Sequence, residues 1–153
     1  MVHLAVLRDG LELPYVEQGD PGGVPVVLLH GWLDSRRSFD QLMAVLPERI
    51  RAFAFDQRGH GEGAKPADGY GLRDFADDIG AFMDAVGLDA AVLAGASSGG
   101  YVAQRFAVDD PGRTLGLALL GSPRSLRGPR PRFADVLAAL EDPIDAAFVR
   151  EFN

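Results

Sequence analysis

The stretch VLAGASSGGYVAQ, residues 92–104, decides how this chain folds, because two adjacent serines sit in it between a β-forming run and a helix-compatible one. Gly95 precedes the pair and Gly99 and Gly100 follow it, so the backbone there turns where side chains would crowd. The run before it, AAVLAG (90–95), is apolar without alternation, as expected of a strand covered on both faces. The run after it, from Ser98 to Val108 and closed by DDPG, reads as a helix. The segment is therefore a strand passing through a tight turn into a helix.

Working outward, the same unalternating apolar texture returns in VPVVLLH (24–30), IRAFAFD (50–56) and TLGLALLG (114–121), which together with 90–95 predict a parallel sheet. Between them lie helical patterns. In DSRRSFDQLMAVLP, Asp34 or Ser35 caps a helix with Phe39, Leu42, Met43 and Leu46 on one stripe, and Pro47 stops it. In YGLRDFADDIGAFMDAVGL, Leu72, Phe75, Ile79, Phe82, Met83 and Val86 recur at helical spacing, with the acids on the outer face and Gly87 as end signal. Ahead of these, HLAV and LELPYVE flank Arg8-Asp9-Gly10, an Asp-Gly hairpin signal that predicts an antiparallel start. The order β-β-β-α-β-α-β-α-β places the chain in the α/β class, a mostly parallel sheet flanked by helices on both faces.

Past Gly121 the texture changes. SPRSLRGPRPR carries Arg124, Arg127, Arg130 and Arg132 among three prolines and reads as a solvated linker rather than an anion-binding strip. Two short amphipathic helices follow, one with Phe133, Val136, Leu137 and Leu140, the other with Asp142 as cap, Pro143 at its first position, and Ile144 and Phe148 on one face. The expected division is a core over 1–122 and, over 123–153, a linker with the beginning of a further helical unit.

The composition excludes several classes. With 153 residues and 47% hydrophobic content the chain suits one domain with a real core. No apolar run reaches about 18 residues and the N-terminus lacks the pattern of a secretory signal, so the expectation is a cytoplasmic protein with no membrane partner. A formal charge of −7 argues against nucleic acid as a partner. With Cys 0, disulfides, thiolate metal sites and cysteine nucleophiles are absent, which leaves covalent chemistry to hydroxyls and carboxylates.

In open α/β sheets, ligands bind at the carboxyl ends of the strands. Three such ends stand out here: His30-Gly31-Trp32, the loop DQRGHG from Asp56 to Gly61, and GASSGG. Carried in this order, the three motifs resemble the N-terminal part of the α/β-hydrolase fold, in the esterase, epoxide-hydrolase-like and haloperoxidase-like branch, and the likeness covers essentially the whole chain. The stretch over 123–153 then corresponds to the start of a helical cap.

The resemblance implies a nucleophile elbow, Gly-x-Ser-x-Gly, in which the serine sits on a strand-to-helix turn. Counting from Ser97 puts Gly95 and Gly99 at the flanking positions, with Gly100 next; counting from Ser98 puts Ala96 and Gly100 there, the poorer fit. Ser97 is thus the expected nucleophile, and Ser98, at a helix start, supplies a backbone N–H to an oxyanion hole. The second oxyanion amide comes, by the same resemblance, from Trp32, whose indole either walls an acyl pocket or simply packs. His30, Gly31, Asp56, Arg58, Gly59 and His60 are read as structural: His30 shapes the oxyanion loop, and Asp56, Arg58 and the glycines fix the second loop by charge-assisted bonding. That loop departs from the family pattern at Glu62-Gly63, where serine is usual. His3 lies in the first strand.

A serine needs an imidazole oriented by a carboxylate, and this fold orders them Ser, acid, His. No histidine follows His60, so neither partner can be carried over to this sequence. Asp109 and Asp110 read as surface or capping residues. The expectation is a serine hydrolase acting on a small carboxylic ester or related acyl compound through an acyl-enzyme, without cofactor or metal, truncated before its acid and base. Serine at the elbow disfavours the dehalogenase and epoxide hydrolase chemistries, which need a carboxylate there; perhydrolase and carbon–carbon bond hydrolase activities stay open. The alternative is a non-catalytic fragment, or a binding or assembly partner that retains the pocket, self-associates, or is completed by a C-terminal fragment.

Overall fold

In the computed structural model, which describes residues 1–122, the Asp9-Gly10 turn closes a hairpin of β1 (Val2–Val6) and β2 (Glu12–Gln18). Leu7 N–H donates to Leu11 O at 2.8 Å, Gly10 takes φ 86°, and the pairing runs antiparallel from Val2 opposite Val16 to Val6 opposite Glu12. The other strands are β3 (Val24–Leu29), β4 (Ile50–Phe55), β5 (Ala91–Ala96) and β6 (Thr114–Leu120). They form one six-stranded sheet in the order β1-β2-β4-β3-β5-β6, with β4, β3, β5 and β6 mutually parallel and β2 antiparallel to β4. The chain passes from β3 to β4 on one side and then returns to lay β5 on the other. A crevice therefore opens between the carboxyl ends of β3 and β5, the place where α/β sheets bind ligands.

Alternation along the buried strands sorts side chains by size. Val27, Leu29, Phe53 and Phe55 face α2 (Leu72–Ala85) and α3 (Ser98–Asp109), where Phe82 stacks on Phe55 at 4.4 Å between ring centroids. On the opposite face Leu28, Ala52, Ala54 and Ala94 leave room for Phe39 and Met43. Helices thus cover both faces, as the pattern predicts. The end of α2 is a Schellman motif: Gly87 has φ 71°, Leu88 N–H donates to Met83 O at 2.8 Å, and Gly87 N–H donates to Asp84 O at 3.3 Å.

Three details differ from the sequence reading. The helix expected after Ser35 is a 3₁₀ turn, Arg36–Phe39, followed by a single α turn, α1 (Asp40–Met43). Phe39 and Met43 are buried, but Leu42 is exposed, because Arg36 is drawn inward to Asp56 and sets the first turn. In α2, Leu72 is exposed and Asp78 is buried, so its acids do not all face outward. Finally, β6 pairs only with β5 among the described residues, and Leu115, Leu117, Leu119 and Leu120 stand exposed on its two faces. The linker and the two short helices read over 123–153 lie outside the described residues. Among the described residues no helix is long and apolar enough to cross a membrane.

Candidate functional site

The turn from β5 into α3 is carried by Ser97, at φ 50° and ψ −118°, a backbone conformation costly for any residue with a side chain. Ser98 is already the first residue of α3. The flanking glycines are required by contact rather than by conformation. A Cβ at Gly95 would lie 2.5 Å from Gly100 Cα, and one at Gly99 would lie 2.3 Å from Leu29 O and 2.5 Å from His30 O. Neither neighbour is a flexible side chain, so strand, turn and helix approach closely only with glycine at both places. Ser97 is exposed and Ser98 half-buried.

The loop after β3 packs against this turn. A Cβ at Gly31 would come 3.3 Å from Ser97 Cβ and 3.9 Å from its Oγ. His30, fully buried, is held at both ring nitrogens: Gln57 N–H donates to Nε2 at 3.1 Å and Nδ1–H donates to Gly31 O at 2.8 Å. Because a backbone amide only donates and a carbonyl only accepts, the ring is neutral with its proton on Nδ1. Burial, the largest influence, holds its pKa below the ordinary histidine value. His30 is thus tied at both ring nitrogens and has no free nitrogen for proton transfer. Trp32 follows, half exposed, and Leu33 is left-handed at φ 61°.

In the loop after β4, charge-assisted bonds fasten the chain both within the loop and to partners on other elements. Asp56, fully buried, accepts from Arg36 N–H at 2.7 Å, from the Arg36 guanidinium, and from Glu62 N–H at 2.9 Å. Arg36 also donates to Glu62 at 2.7 Å. Arg58 donates from Nε and Nη2 to the two oxygens of Asp78, each at 2.6 Å, and from Nη1 to Gly69 O at 2.6 Å. Gly59 and Gly61 take φ 75° and 50°, and a Cβ at Gly61 would lie 2.6 Å from Asp56 Cγ. His60 donates from Nδ1 to Arg58 O at 2.9 Å, with its ring 5.2 Å from that of His30. His3 stacks on Tyr15 in the hairpin at 5.2 Å.

Arg36, Gln57 and Asp78 were not singled out from the sequence, and Glu62 was noted there only as a departure from the family pattern. Asp78 carried a usable signal: it falls three residues after Phe75 and four before Phe82, so it occupies the apolar stripe of α2 and needs a buried partner there. Nothing comparable marks Arg36.

The two loops and the turn enclose a cavity of about 330 Å³ with walls from Gly31, Trp32, His60, Phe75, Ser98 and Tyr101. Its lining is mainly apolar, and Ser97 stands beside it through its contact with Gly31. Among the described residues no histidine hydrogen-bonds the Ser97 hydroxyl, and no group of three or more His, Asp or Glu is arranged to hold a metal ion. The arrangement offers a hydroxyl on a strained turn, helix-start amides beside it, and an apolar recess. It can present a nucleophile and stabilise developing negative charge; among the described residues no proton acceptor is hydrogen-bonded to that hydroxyl.

A family model described as the alpha/beta hydrolase fold matches residues 24–151. The chain is 36% identical over 116 residues to a non-heme chloroperoxidase of Streptomyces lividans, a match that takes in 74% of this chain and 42% of the relative. It is 37% identical over 95 residues to a bifunctional esterase/perhydrolase of Acinetobacter calcoaceticus, covering 61% of this chain and 34% of the relative. A crystal structure of a hydrolase from Pseudomonas aeruginosa superposes with a TM-score of 0.83 at 26% identity, over 97% of this chain and 56% of that one. The chain thus spans less than half the length of these curated relatives.

Proposed function

The chain belongs to the α/β-hydrolase fold family, and from that premise we propose that it carries the nucleophile half of a serine hydrolase acting on a carboxylic ester or related acyl compound. The observation that carries the reading is Ser97: the positive φ falls on it and not on Ser98, between glycines that backbone contacts demand. In the proposed reaction Ser97 Oγ attacks the acyl carbon, the Ser98 and Trp32 amides receive the developing oxyanion, and the alcohol leaves an acyl-enzyme that water hydrolyses. The apolar recess takes the acyl chain. The relative named as a bifunctional esterase/perhydrolase supports acyl chemistry without choosing a substrate.

In this reading the proton acceptor comes from elsewhere, since both nitrogens of His30 are engaged and His60, whose Nδ1–H is held by Arg58 O, makes no hydrogen bond to Ser97 among the described residues. We assign that role, with its orienting carboxylate, to a C-terminal segment joined to or assembled on this one. A binding or assembly role is the second reading, favoured by the exposed leucines of β6.

The test is fluorophosphonate labelling with mass-spectrometric mapping, on the 153-residue chain alone and mixed with the C-terminal half of the Streptomyces lividans relative. Labelling is expected on Ser97, lost in Ser97→Ala and kept in Ser98→Ala; undiminished labelling of Ser97→Ala would overturn the assignment. Ester turnover by the chain alone should trail the complemented protein by about 10³-fold or more, the usual loss when triad members are missing.

A further inference from the structure

Just past the end of β6, the Ser122 hydroxyl lies 2.7 Å from Ser97 O, 3.2 Å from Gly95 O and 3.5 Å from Leu120 O. A hydroxyl has one proton to donate, and the shortest contact directs it to Ser97 O. The space it occupies is kept open by a glycine: a Cβ at Gly100 would fall 2.0 Å from Ser122 Oγ and 2.4 Å from Ser122 Cβ. Gly100 therefore makes room for this hydroxyl, and its own N–H donates to the same Ser97 O at 3.1 Å.

We propose that Ser122 is a positioning residue that aims the peptide between Ser97 and Ser98, and through it the oxyanion amide. The inference rests on the reading of Ser97 as nucleophile. A trans peptide is planar, so its C=O and N–H point in opposite directions and fixing one fixes the other. With both lone pairs of Ser97 O taken, by Gly100 N–H and by the Ser122 hydroxyl, the Ser98 N–H is turned to the opposite side, where Ser98 lines the cavity. As a first-turn amide of α3 it has no acceptor within the helix and stays available to a ligand oxygen. Donation to the carbonyl also polarises the peptide and strengthens its N–H as a donor.

The same strand end holds the turn from the other side, because Ser97 N–H donates to Leu120 O at 3.0 Å. A residue at φ 50° and ψ −118° persists only where its surroundings over-determine it, and β6 supplies bonds both to its amide and to its carbonyl. A hydroxyl at 122 thus converts a strained turn into a fixed one.

Two measurements on the full chain test this, in Ser122→Ala and in Ser122→Thr, which keeps the donor. Amide hydrogen exchange at Ser97 and Gly100 should quicken by about tenfold or more in Ser122→Ala, the factor expected for one lost hydrogen bond. Ser122→Thr should stay near the parent rates, and the amides of Val27 and Phe53 should stay within about twofold in both variants. Unchanged exchange at Ser97 and Gly100 would overturn the inference. So would uniform acceleration across the sheet, which would make Ser122 merely a stability residue.

In the complemented protein, Ser122→Ala should lower the maximal rate of phosphonylation by about tenfold with the half-saturating concentration unchanged, and Ser122→Thr should restore it. A rise in the half-saturating concentration alone would count against a positioning role. If Ser97 of the parent protein takes no label, the hydrolase reading falls, while the exchange rates still decide whether Ser122 holds the turn.

Discussion

Replacing Asp78 by asparagine removes one charge from a pair that is almost closed to solvent. The Arg58 side chain is 9% exposed and that of Asp78 5%, and the two make parallel bonds of 2.6 Å each. The Asp78 bonds, the largest influence, hold the Arg58 guanidinium above its ordinary pKa, while burial, partly offset by Arg58, raises the Asp78 carboxyl. Burial and attraction therefore nearly cancel in the intact pair, but not once one partner goes. In Asp78→Asn the carboxamide NH₂ confronts one guanidinium N–H, and the buried cation is left with neutral acceptors, the carboxamide oxygen and Gly69 O. Breaking a buried pair in this way costs about 3–5 kcal/mol. For a domain of this size that corresponds to a fall in Tm of about 6–20 °C. Urea denaturation at pH 7 followed by circular dichroism, with calorimetry for Tm, measures both. The companion variant Arg58→Leu/Asp78→Leu should lose less than Asp78→Asn, because it leaves no orphaned charge. A loss below about 1 kcal/mol in Asp78→Asn, or a double variant worse than the single, would refute the reasoning.

Leu33 sits at φ 61° and is 62% exposed, so Leu33→Asn relieves left-handed strain at little packing cost and should stabilise by about 0.5–1 kcal/mol; urea midpoints check it, and a loss of stability would show that the leucine side chain is needed. His30 gives a pH dependence of known sign: its folded pKa is depressed by burial, so its contribution is complete above the unfolded value of about 6.5 and declines as pH falls below that toward the folded value. Ring NMR titration should find His30 charging at a lower pH than an ordinary histidine, and titration at or above the ordinary value of about 6.5 would contradict the assigned tautomer.

What could be read from the sequence, and what could not, follows from the range of the interactions involved. The sheet was legible because buried strands write themselves as local apolar runs, and the hairpin because Asp9-Gly10 is a local turn. The turn at Ser97 was legible for the same reason: Gly95 and Gly99 lie two residues either side of it. The short 3₁₀ segment at Arg36 was not, because its geometry is set by Asp56, twenty positions away. The second loop shows the division most clearly. That Asp56 and Arg58 bond within charge-assisted networks was readable from their types, but their partners, Arg36 and Asp78, each belong to another element. Ser122 lay hidden further still, since its importance depends on β6 lying beside β5 and on a glycine at 100.

This dependence on β6 bears on how the proposed nucleophile is controlled. Ser97 is bonded through its amide to Leu120 and through its carbonyl to Ser122, so the precision of the turn is no better than the rigidity of that strand end. Yet Leu115, Leu117, Leu119 and Leu120 are 59%, 44%, 38% and 47% exposed among the described residues. Full burial of a leucine contributes about 1.5–3 kcal/mol relative to full exposure, so covering these half-exposed side chains would add a sizeable fraction of a small domain's stability at the strand that holds the turn. In the proposed reading, a segment that supplied an imidazole to Ser97 would gain a second hold on it by packing on β6. On this view complementation should slow exchange at the Ser97 amide before any ester is added, and the same packing that completes the sheet would set the oxyanion amide.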